Sequence, residues 1–337
     1  MLLSVIIPIY KTPEDLLAKC LSSVAELPRD ETEVLCIVDG PEAMPRGLME
    51  DVARQYPWFQ IIANNENKGV SHSRNVGIGS ARGLYVTFVD ADDLINADTY
   101  LRAAQKCLIW GLDLCKFRLG EKSDSLGSGS CVFSCASWND NAFRANLLRA
   151  IEWAGLSSVA AIYSSRLLGE FGISFCEDLQ HNEDFVFVTK VFQACSCVGL
   201  LDEIGYSVVG HQASASRSPV SERMCLDRVS AGIRVMQSID VSRMTRLERC
   251  WYLRKIIREN LLPDFTVRRL ISSSGRIEFL TGLSQMLSLV LDKFADDLRG
   301  VAKGLLKLLS TCPDIILYRP CIFILRLFQH FDKFVVS

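Results

Sequence analysis

A chain of 337 residues with 49% hydrophobic and 23% charged side chains can bury one large core or two smaller ones, which excludes a disordered or fibrous protein. A formal net charge of -2 at pH 7 excludes a generally basic nucleic-acid binder, and no nucleic-acid partner is expected. The thirteen cysteines are odd in number, lack a C-x-x-C pair and sit mostly in apolar runs, as at Cys20, Cys36, Cys107 and Cys115; this excludes a zinc site and points to reduced thiols in a cytoplasmic protein.

Met1 to Tyr10 is apolar but has no basic leading segment and is broken at Pro8, so it reads as a first strand, Leu3 to Ile9, and not as a signal peptide. Thr12 then supplies a helix N-cap, Pro13 a first helical position and Glu14 and Asp15 an acidic first turn, with the helix running to about Ala25. Glu33 to Val38 is a second strand ending at Asp39-Gly40-Pro41. A helix from about Glu42 to Tyr56 and a short strand from Trp58 to Ala63 follow. Asn64 to Gly69 is a polar turn, and Ser71 to Ala81 a helix carrying Arg74 and Asn75. Such alternation with continuous apolar strands predicts a mostly parallel α/β sheet covered on both faces, with ligands bound outside the carboxyl ends of its strands. Tyr10, Asp39, Asn64 and Asp90 fall at such ends.

The next strand, Leu84 to Val89, breaks off into Asp90, Ala91, Asp92 and Asp93. Three carboxylates at the end of a buried strand repel one another and call for a hard divalent cation, itself bridging a phosphate. A second reading is a helix start, with Asp92 or Asp93 capping the helix that Leu94 would begin; these residues alone do not decide between the two.

Asn96 to Gly111 is predicted as a helix and Leu112 to Arg118 as a strand, with Glu121 to Ser130 a Ser/Gly-rich loop or lid. Helices are expected around Asn141 to Trp153, Ser164 to Glu170 and Glu183 to Cys195, and strands at Val198 to Leu201 and Ile204 to Val209. From Pro219 the pattern becomes helical, which sets a boundary near Ser216 to Ser221. The apolar stretch Ile315 to Val336, interrupted by Arg319, Arg326 and Lys333, reads as a packed helix or as an interfacial helix at a membrane surface. No stretch reaches the roughly 18 uncharged apolar residues of a spanning helix.

Ser4-Val-Ile-Ile-Pro-Ile-Tyr10, Asp39 after a strand, Asn67-Lys-Gly-Val-Ser-His-Ser-Arg74-Asn75-Val-Gly77 and Phe88-Val-Asp90-Ala-Asp92-Asp93, in that order, resemble the donor half of the family 2 glycosyltransferases. The resemblance is dense over the first third and thins out toward Ser216. It implies a nucleotide-diphospho-sugar transferase fold of the GT-A type over residues 1–218, divided into a nucleotide-sugar-binding half, 1–118, and an acceptor and catalytic-base half, 119–218. A helical region, 219–337, follows.

The resemblance further implies sugar transfer with inversion, Mn2+ or Mg2+ as cofactor, a nucleotide-sugar donor such as a UDP-sugar, and a glycan or lipid-linked saccharide as acceptor. Carried over by position, it makes Pro8, Tyr10 and Asp39 nucleoside contacts, sets Arg74 near the base or diphosphate and Asp90 near the ribose, and gives the metal to Asp92, with His211 a further metal or diphosphate ligand. The family commonly has a second Asp and Gly-Ser where this chain has Gly40-Pro41. A catalytic base is implied in Asn182-Glu183-Asp184-Phe185, before an apolar helix: Asp184 first, Glu183 second, and Asp178 of the Glu177-Asp178 pair third. Glu183 and Asp184 also suit a helix N-terminus for electrostatic reasons alone. The competing functions are a degenerate transferase acting as a scaffold and a sugar nucleotidylyltransferase; the latter needs a Gly-rich basic first loop, which Tyr10-Lys11-Thr12-Pro13 is not.

Overall fold

The computed structural model describes residues 1–43, 46–121, 125–137, 155–209, 221–244, 249, 273–294 and 307. The chain divides into two compact units: Met1–Asp178 with Ala194–Arg217, and Leu179–Gln193 with Ser218–Ser337.

The first unit is built on a sheet that has nine strands among the described residues. Four of them, β1 (Leu3–Ile9), β2 (Thr32–Val38), β3 (Phe59–Ala63) and β4 (Tyr85–Phe88), lie in the order β3-β2-β1-β4 and are all parallel. The Val and Ile residues of β1, β2 and β4 are buried on both faces, Val5, Ile6, Ile7, Val34, Ile37 and their neighbour Leu35 being wholly so, which is why these strands are continuous apolar runs, while Ile61 and Ile62 of the outer β3 are half-buried. Each such side chain contributes roughly 1.5–3 kcal/mol on burial. Pro8 is tolerated in this central strand because the β1–β4 pairing ends at Ile6–Phe88. Ile6 accepts from Val89 N–H on that side, so the N–H that Pro8 lacks would face the end of the shorter strand.

The connecting helices are α1 (Glu14–Val24), α2 (Arg46–Gln55) and α3 (Val70–Ser80), followed by α4 (Ala97–Trp110). At α1 the cap position is held by Pro13, with no side-chain cap bond, so Thr12 does not cap the helix as its sequence predicts. Cys20, Cys36, Cys107 and Cys115 are free thiols with no exposed surface, in keeping with their apolar surroundings in the sequence.

Beyond β4 the sheet becomes mixed. β8 (Ala161–Ser164) runs antiparallel between β4 and β6 (Leu114–Glu121), and β6 is parallel to β9 (Cys197–Val208). The short β5 (Leu94–Ile95) and β7 (Gly129–Ser137) both pair antiparallel with β9. The unbroken run of parallel neighbours, β3-β2-β1-β4, thus falls within residues 1–118, and the one further parallel pair among the described strands, β6 with β9, reaches beyond it. The two strands expected at Val198 to Leu201 and Ile204 to Val209 are one strand, and of the loop expected at Glu121 to Ser130 only the ends are strand, Glu121 closing β6 and Gly129 and Ser130 opening β7, with residues 125–128 forming a turn between them. α5 (Ser165–Glu170) matches its prediction and is capped by Ser164, whose hydroxyl accepts from Leu167 N–H. The expected helix at Asn141 to Trp153 and the apolar stretch Ile315 to Val336 lie outside the described residues.

In the second unit are α6 (Glu183–Ala194, its last residue grouped with the first unit), α7 (Glu222–Ser238), a 3-10 turn at Val241–Arg243 and α8 (Ser273–Phe294). Ser221 caps α7 by accepting from Met224 N–H at 3.1 Å. α7 and α8 pack on each other, and Val229, Val235 and Met236 of the one and Leu283, Met286 and Val290 of the other are buried. Among the described residues no helix is long and apolar enough to cross a membrane.

Candidate active site

The order β3-β2-β1-β4 sets the carboxyl ends of four parallel strands side by side, and Asn64, Asp39, Tyr10 and Asp90 follow those ends. Asp39 is 3% exposed. Its Oδ1 accepts from Asn64 Nδ2 at 2.9 Å and Lys68 N at 3.0 Å, and its Oδ2 from Gly69 N at 2.8 Å. The carboxylate therefore shapes the 64–69 turn that leads into α3, and of its four lone-pair positions one is left for another donor. The turn also explains the departure at Gly40. Its φ of 101° lies in the left-handed region, and a Cβ there would meet Asn67 N at 2.7 Å, so the aspartate common in the resembled family has no room. Tyr10 is 40% exposed, with the Lys11 ammonium 4.9 Å from its ring centroid, and Pro8 is half-buried at the end of β1.

α3 faces this edge with Arg74, which is 4% exposed. Its Nη2 donates to Asp90 Oδ1 at 3.0 Å, and its guanidinium lies 5.1 Å from the centroid of the Phe175 ring. Arg74 thus holds Asp90, whose side chain remains 38% exposed. The backbone N–H of Asp90 donates to Tyr206 Oη at 3.2 Å. Tyr206 in turn donates to Asp93 Oδ2 at 2.7 Å, and Val209 N–H reaches Asp93 Oδ1 at 2.9 Å. Asp93 is buried, and burial pushes its pKa up to about 7 against the Tyr206 hydrogen bond that lowers it; Asp90 and Asp92 add to the rise. The expected capping role of Asp93 is therefore incorrect. Leu94–Ile95 is a strand, and α4 is capped by Asn96, which accepts from Thr99 N–H at 2.9 Å. Asp92 is half-buried between these two neighbours.

A further cluster joins α3 to the segment before the expected base. Asn75 Nδ2 donates to Phe175 O at 3.0 Å and to Glu177 Oε1 at 2.9 Å, and Phe175 N–H donates back to Asn75 Oδ1 at 2.9 Å. His72 Nδ1 lies 2.9 Å from Glu177 Oε2. The Asn75 bond, and then the His72 contact, hold the Glu177 carboxyl below its ordinary range. In the sequence Glu177 stands out only as the neighbour of Asp178; its tie to Asn75, 102 residues away, leaves no local pattern.

Glu183 and Asp184 form the first turn of α6, both half-buried, after Asn182 with a left-handed φ of 62°. They belong to the second unit. His211 lies outside the described residues. Among the described residues no group of three or more His, Cys, Asp or Glu side chains is placed to hold a metal by itself. A divalent cation bound together with a diphosphate needs only one or two protein carboxylates, the rest of its shell being phosphate and water. The partly exposed carboxylates of Asp92 and Asp90 fit that donor set.

Residues 4–109 match the family model described as Glycosyl transferase family 2, which bears out the resemblance carried by the motifs. The Bacillus subtilis protein described as uncharacterized glycosyltransferase EpsJ is 25% identical over 209 residues, 60% of this chain and 59% of that protein. The Staphylococcus aureus poly(ribitol-phosphate) beta-N-acetylglucosaminyltransferase TarS is 25% identical over 223 residues, 64% of this chain and 38% of TarS. The chain thus spans less than two thirds of the length of either relative. The crystal structure of S. aureus TarS 1–349 in complex with UDP-GlcNAc superposes with a TM-score of 0.75 at 20% identity, covering 98% of this chain and 93% of that one. The fold is accordingly the GT-A type α/β class expected from the motifs, with helices following it.

Proposed function

We propose that this chain is an inverting, metal-dependent glycosyltransferase that moves a sugar from a nucleotide-sugar, a UDP-sugar, to a hydroxyl group of a glycan or lipid-linked acceptor. The observation that carries the reading is the row of Tyr10, Asp39 and Asp90 at adjacent parallel strand ends, with Asp90 fixed by Arg74, inside the segment that matches the family. UDP is favoured as the nucleotide because TarS has been solved with UDP and with UDP-GlcNAc.

In this reading the Tyr10 ring stacks on the base, beside Pro8, and the one remaining acceptor position of Asp39 takes an imide N–H. Asp90 accepts from a ribose hydroxyl, and Arg74 acts on the nucleotide through Asp90, to which its guanidinium is turned. Asp92 would hold Mg2+ or Mn2+, with His211 a second ligand, and such an ion would neutralise charge on the departing diphosphate. Asp184 takes the proton of the acceptor hydroxyl, with Glu183 the alternative base. The acceptor oxygen forms its bond to the anomeric carbon as the bond to the diphosphate oxygen breaks, UDP leaving with the electron pair. A single displacement of this kind inverts the anomeric centre. The protein works at the cytoplasmic side, and contact of its C-terminal helices with the membrane surface would bring it to a lipid-linked acceptor.

Titration calorimetry with UDP in the presence and absence of Mn2+ tests the donor half. Wild-type protein should bind UDP at least tenfold more tightly with the ion present, and Asp92→Ala should lose that gain while keeping its melting temperature. UDP binding that is absent, or equally tight with and without the ion, overturns the metal-dependent reading.

A further inference from the structure

The helix that carries the proposed base is anchored inside the C-terminal unit. Leu179–Gln193 groups with Ser218–Ser337, and two hydrogen bonds tie α6 to α7 at both of its ends. Before α6, Gln180 N–H donates to Asp227 Oδ2 at 3.0 Å. In the last turn of α6, Gln193 Oε1 accepts from the N–H of Asp240, two residues past α7, at 3.1 Å.

Asp227 is unusual for a residue in the middle of a 17-residue helix, because it is 2% exposed. A buried carboxylate is retained only when its oxygens are satisfied. Oδ1 is met one turn earlier by Arg223 Nε at 2.9 Å, a pair that a surface helix could form without burying anything. The second oxygen goes to the main chain four residues ahead of Asp184. Between Gln180 and the helix the chain turns at Asn182 in the left-handed region, a conformation that asparagine tolerates better than most residues. The turn at Asn182 and the Gln180–Asp227 bond thus fix the chain directly before the first turn of α6, while buried Phe185, Val186 and Phe187 hold the helix that follows.

We infer that Asp227 is a positioning residue for Asp184, so that the C-terminal helices take part in catalysis by aiming the base. This rests on Asp184 being the base. Asp227 touches neither donor nor acceptor in this account, and its loss is felt in the chemical step and not in donor binding. Misplacing a reacting group by about 1 Å costs on the order of a hundredfold in rate.

The full-length chain is compared with Asp227→Ala, Asp227→Asn and Asp184→Asn, using the UDP-sugar that the wild type turns over. Asp227→Ala should lower kcat by about 10- to 100-fold, with the donor KM and the affinity for UDP within about twofold. Hydrogen exchange should accelerate in peptides spanning residues 179–186 and stay unchanged over residues 85–95. Asp227→Asn keeps an oxygen that can accept from Gln180 N–H, so it should recover most of kcat and of the exchange protection. A folded Asp227→Ala with kcat within twofold of wild type, or one whose UDP affinity falls in proportion to kcat, overturns the inference. If Asp227→Ala does not fold, Asp227→Asn decides: a kcat below one tenth of wild type with full protection at 179–186 would overturn the inference, and near-wild-type values of both would support it. Asp184→Asn separates the two levels. If it retains activity, the base assignment itself fails; if it is inactive while Asp227→Ala is active, only the positioning role fails.

Discussion

At Asp93 a carboxyl group is buried against a tyrosine hydroxyl and a backbone amide, next to two carboxylates that remain partly in solvent. The three aspartates that follow β4 therefore do different work. Asp90 is held from the side by Arg74, Asp92 is half-buried between its two neighbours and is the proposed metal ligand, and Asp93 ties the loop to the end of β9 through Tyr206 and Val209. Asp93→Ala would leave the Tyr206 hydroxyl and the Val209 N–H without an acceptor, and unfolding in urea should show a loss of about 1–3 kcal/mol. A loss under 0.5 kcal/mol would mean that the two donors find water instead. The setting of Asp90 and Asp92, just past the carboxyl end of β4, was legible in the sequence because they sit in a motif behind an apolar run. That of Asp93 was not, since its partners lie 113 and 116 residues further on and an aspartate near a helix start looks like a cap. Asp227 escaped notice for the same reason: its place on a helical period gives no sign that it is buried.

The elements of the first third were predicted to within a few residues, because β1, β2 and β4 are almost wholly buried and their apolar runs have no second interpretation, while β3, half-buried over most of its length, shows in its short apolar run. The elements that were missed are those whose pattern is hidden by local chemistry. β7 is rich in Gly, Ser and Cys, β8 has only four residues, and β9 is crossed by Asp202 and Glu203, which look like a turn. The strand continues there because each carboxylate finds a partner on a neighbouring element. Asp202 pairs with Arg118 of β6, and Glu203, with no exposed surface, accepts from Thr99 Oγ1 at 2.7 Å and Arg102 Nη2 at 2.6 Å on α4. Gly77 of the motif has its reason in packing. A Cβ there would stand 2.3 Å from Ile6 Cγ2, so α3 lies directly on β1, and Gly77→Ala should cost about 1–3 kcal/mol by overpacking. A thermal melt unchanged within 1 °C would contradict that contact.

At the opposite end of the strands Glu33 binds elements together. It accepts from Ser4 Oγ at 2.6 Å and from the main-chain N–H and guanidinium of Arg82, which joins β2 to β1 and to the turn before β4. Burial alone would raise the Glu33 pKa, but these hydrogen bonds outweigh it and hold it below the ordinary value. A depressed folded pKa means stability that is present above the unfolded value near 4.5 and is lost as pH falls through the folded one. The difference in melting temperature between wild type and Glu33→Gln should therefore be largest at neutral pH and shrink below about pH 4. A difference independent of pH would refute the assignment.

Over the whole molecule, the comparison with TarS establishes a fold, and residues 4–109 match the family model; the proposed transfer rests on the carboxylates and their surroundings. The class of fold was legible because strand ends and motif residues coincide. The grouping of Leu179–Gln193 with the helices after Arg217 was not, since contacts between distant segments leave no periodic trace. The most direct test of transfer is release of UDP from a panel of UDP-sugars with Mn2+ and a polysaccharide or lipid-linked acceptor, comparing wild type with Asp92→Ala and Asp184→Asn. The account predicts acceptor-stimulated turnover in the wild type, a loss of at least a hundredfold in kcat for Asp184→Asn with UDP still bound, and loss of metal-dependent turnover for Asp92→Ala. Donor binding by the wild type with no turnover on any donor and acceptor pair, or full turnover by Asp184→Asn, would contradict it.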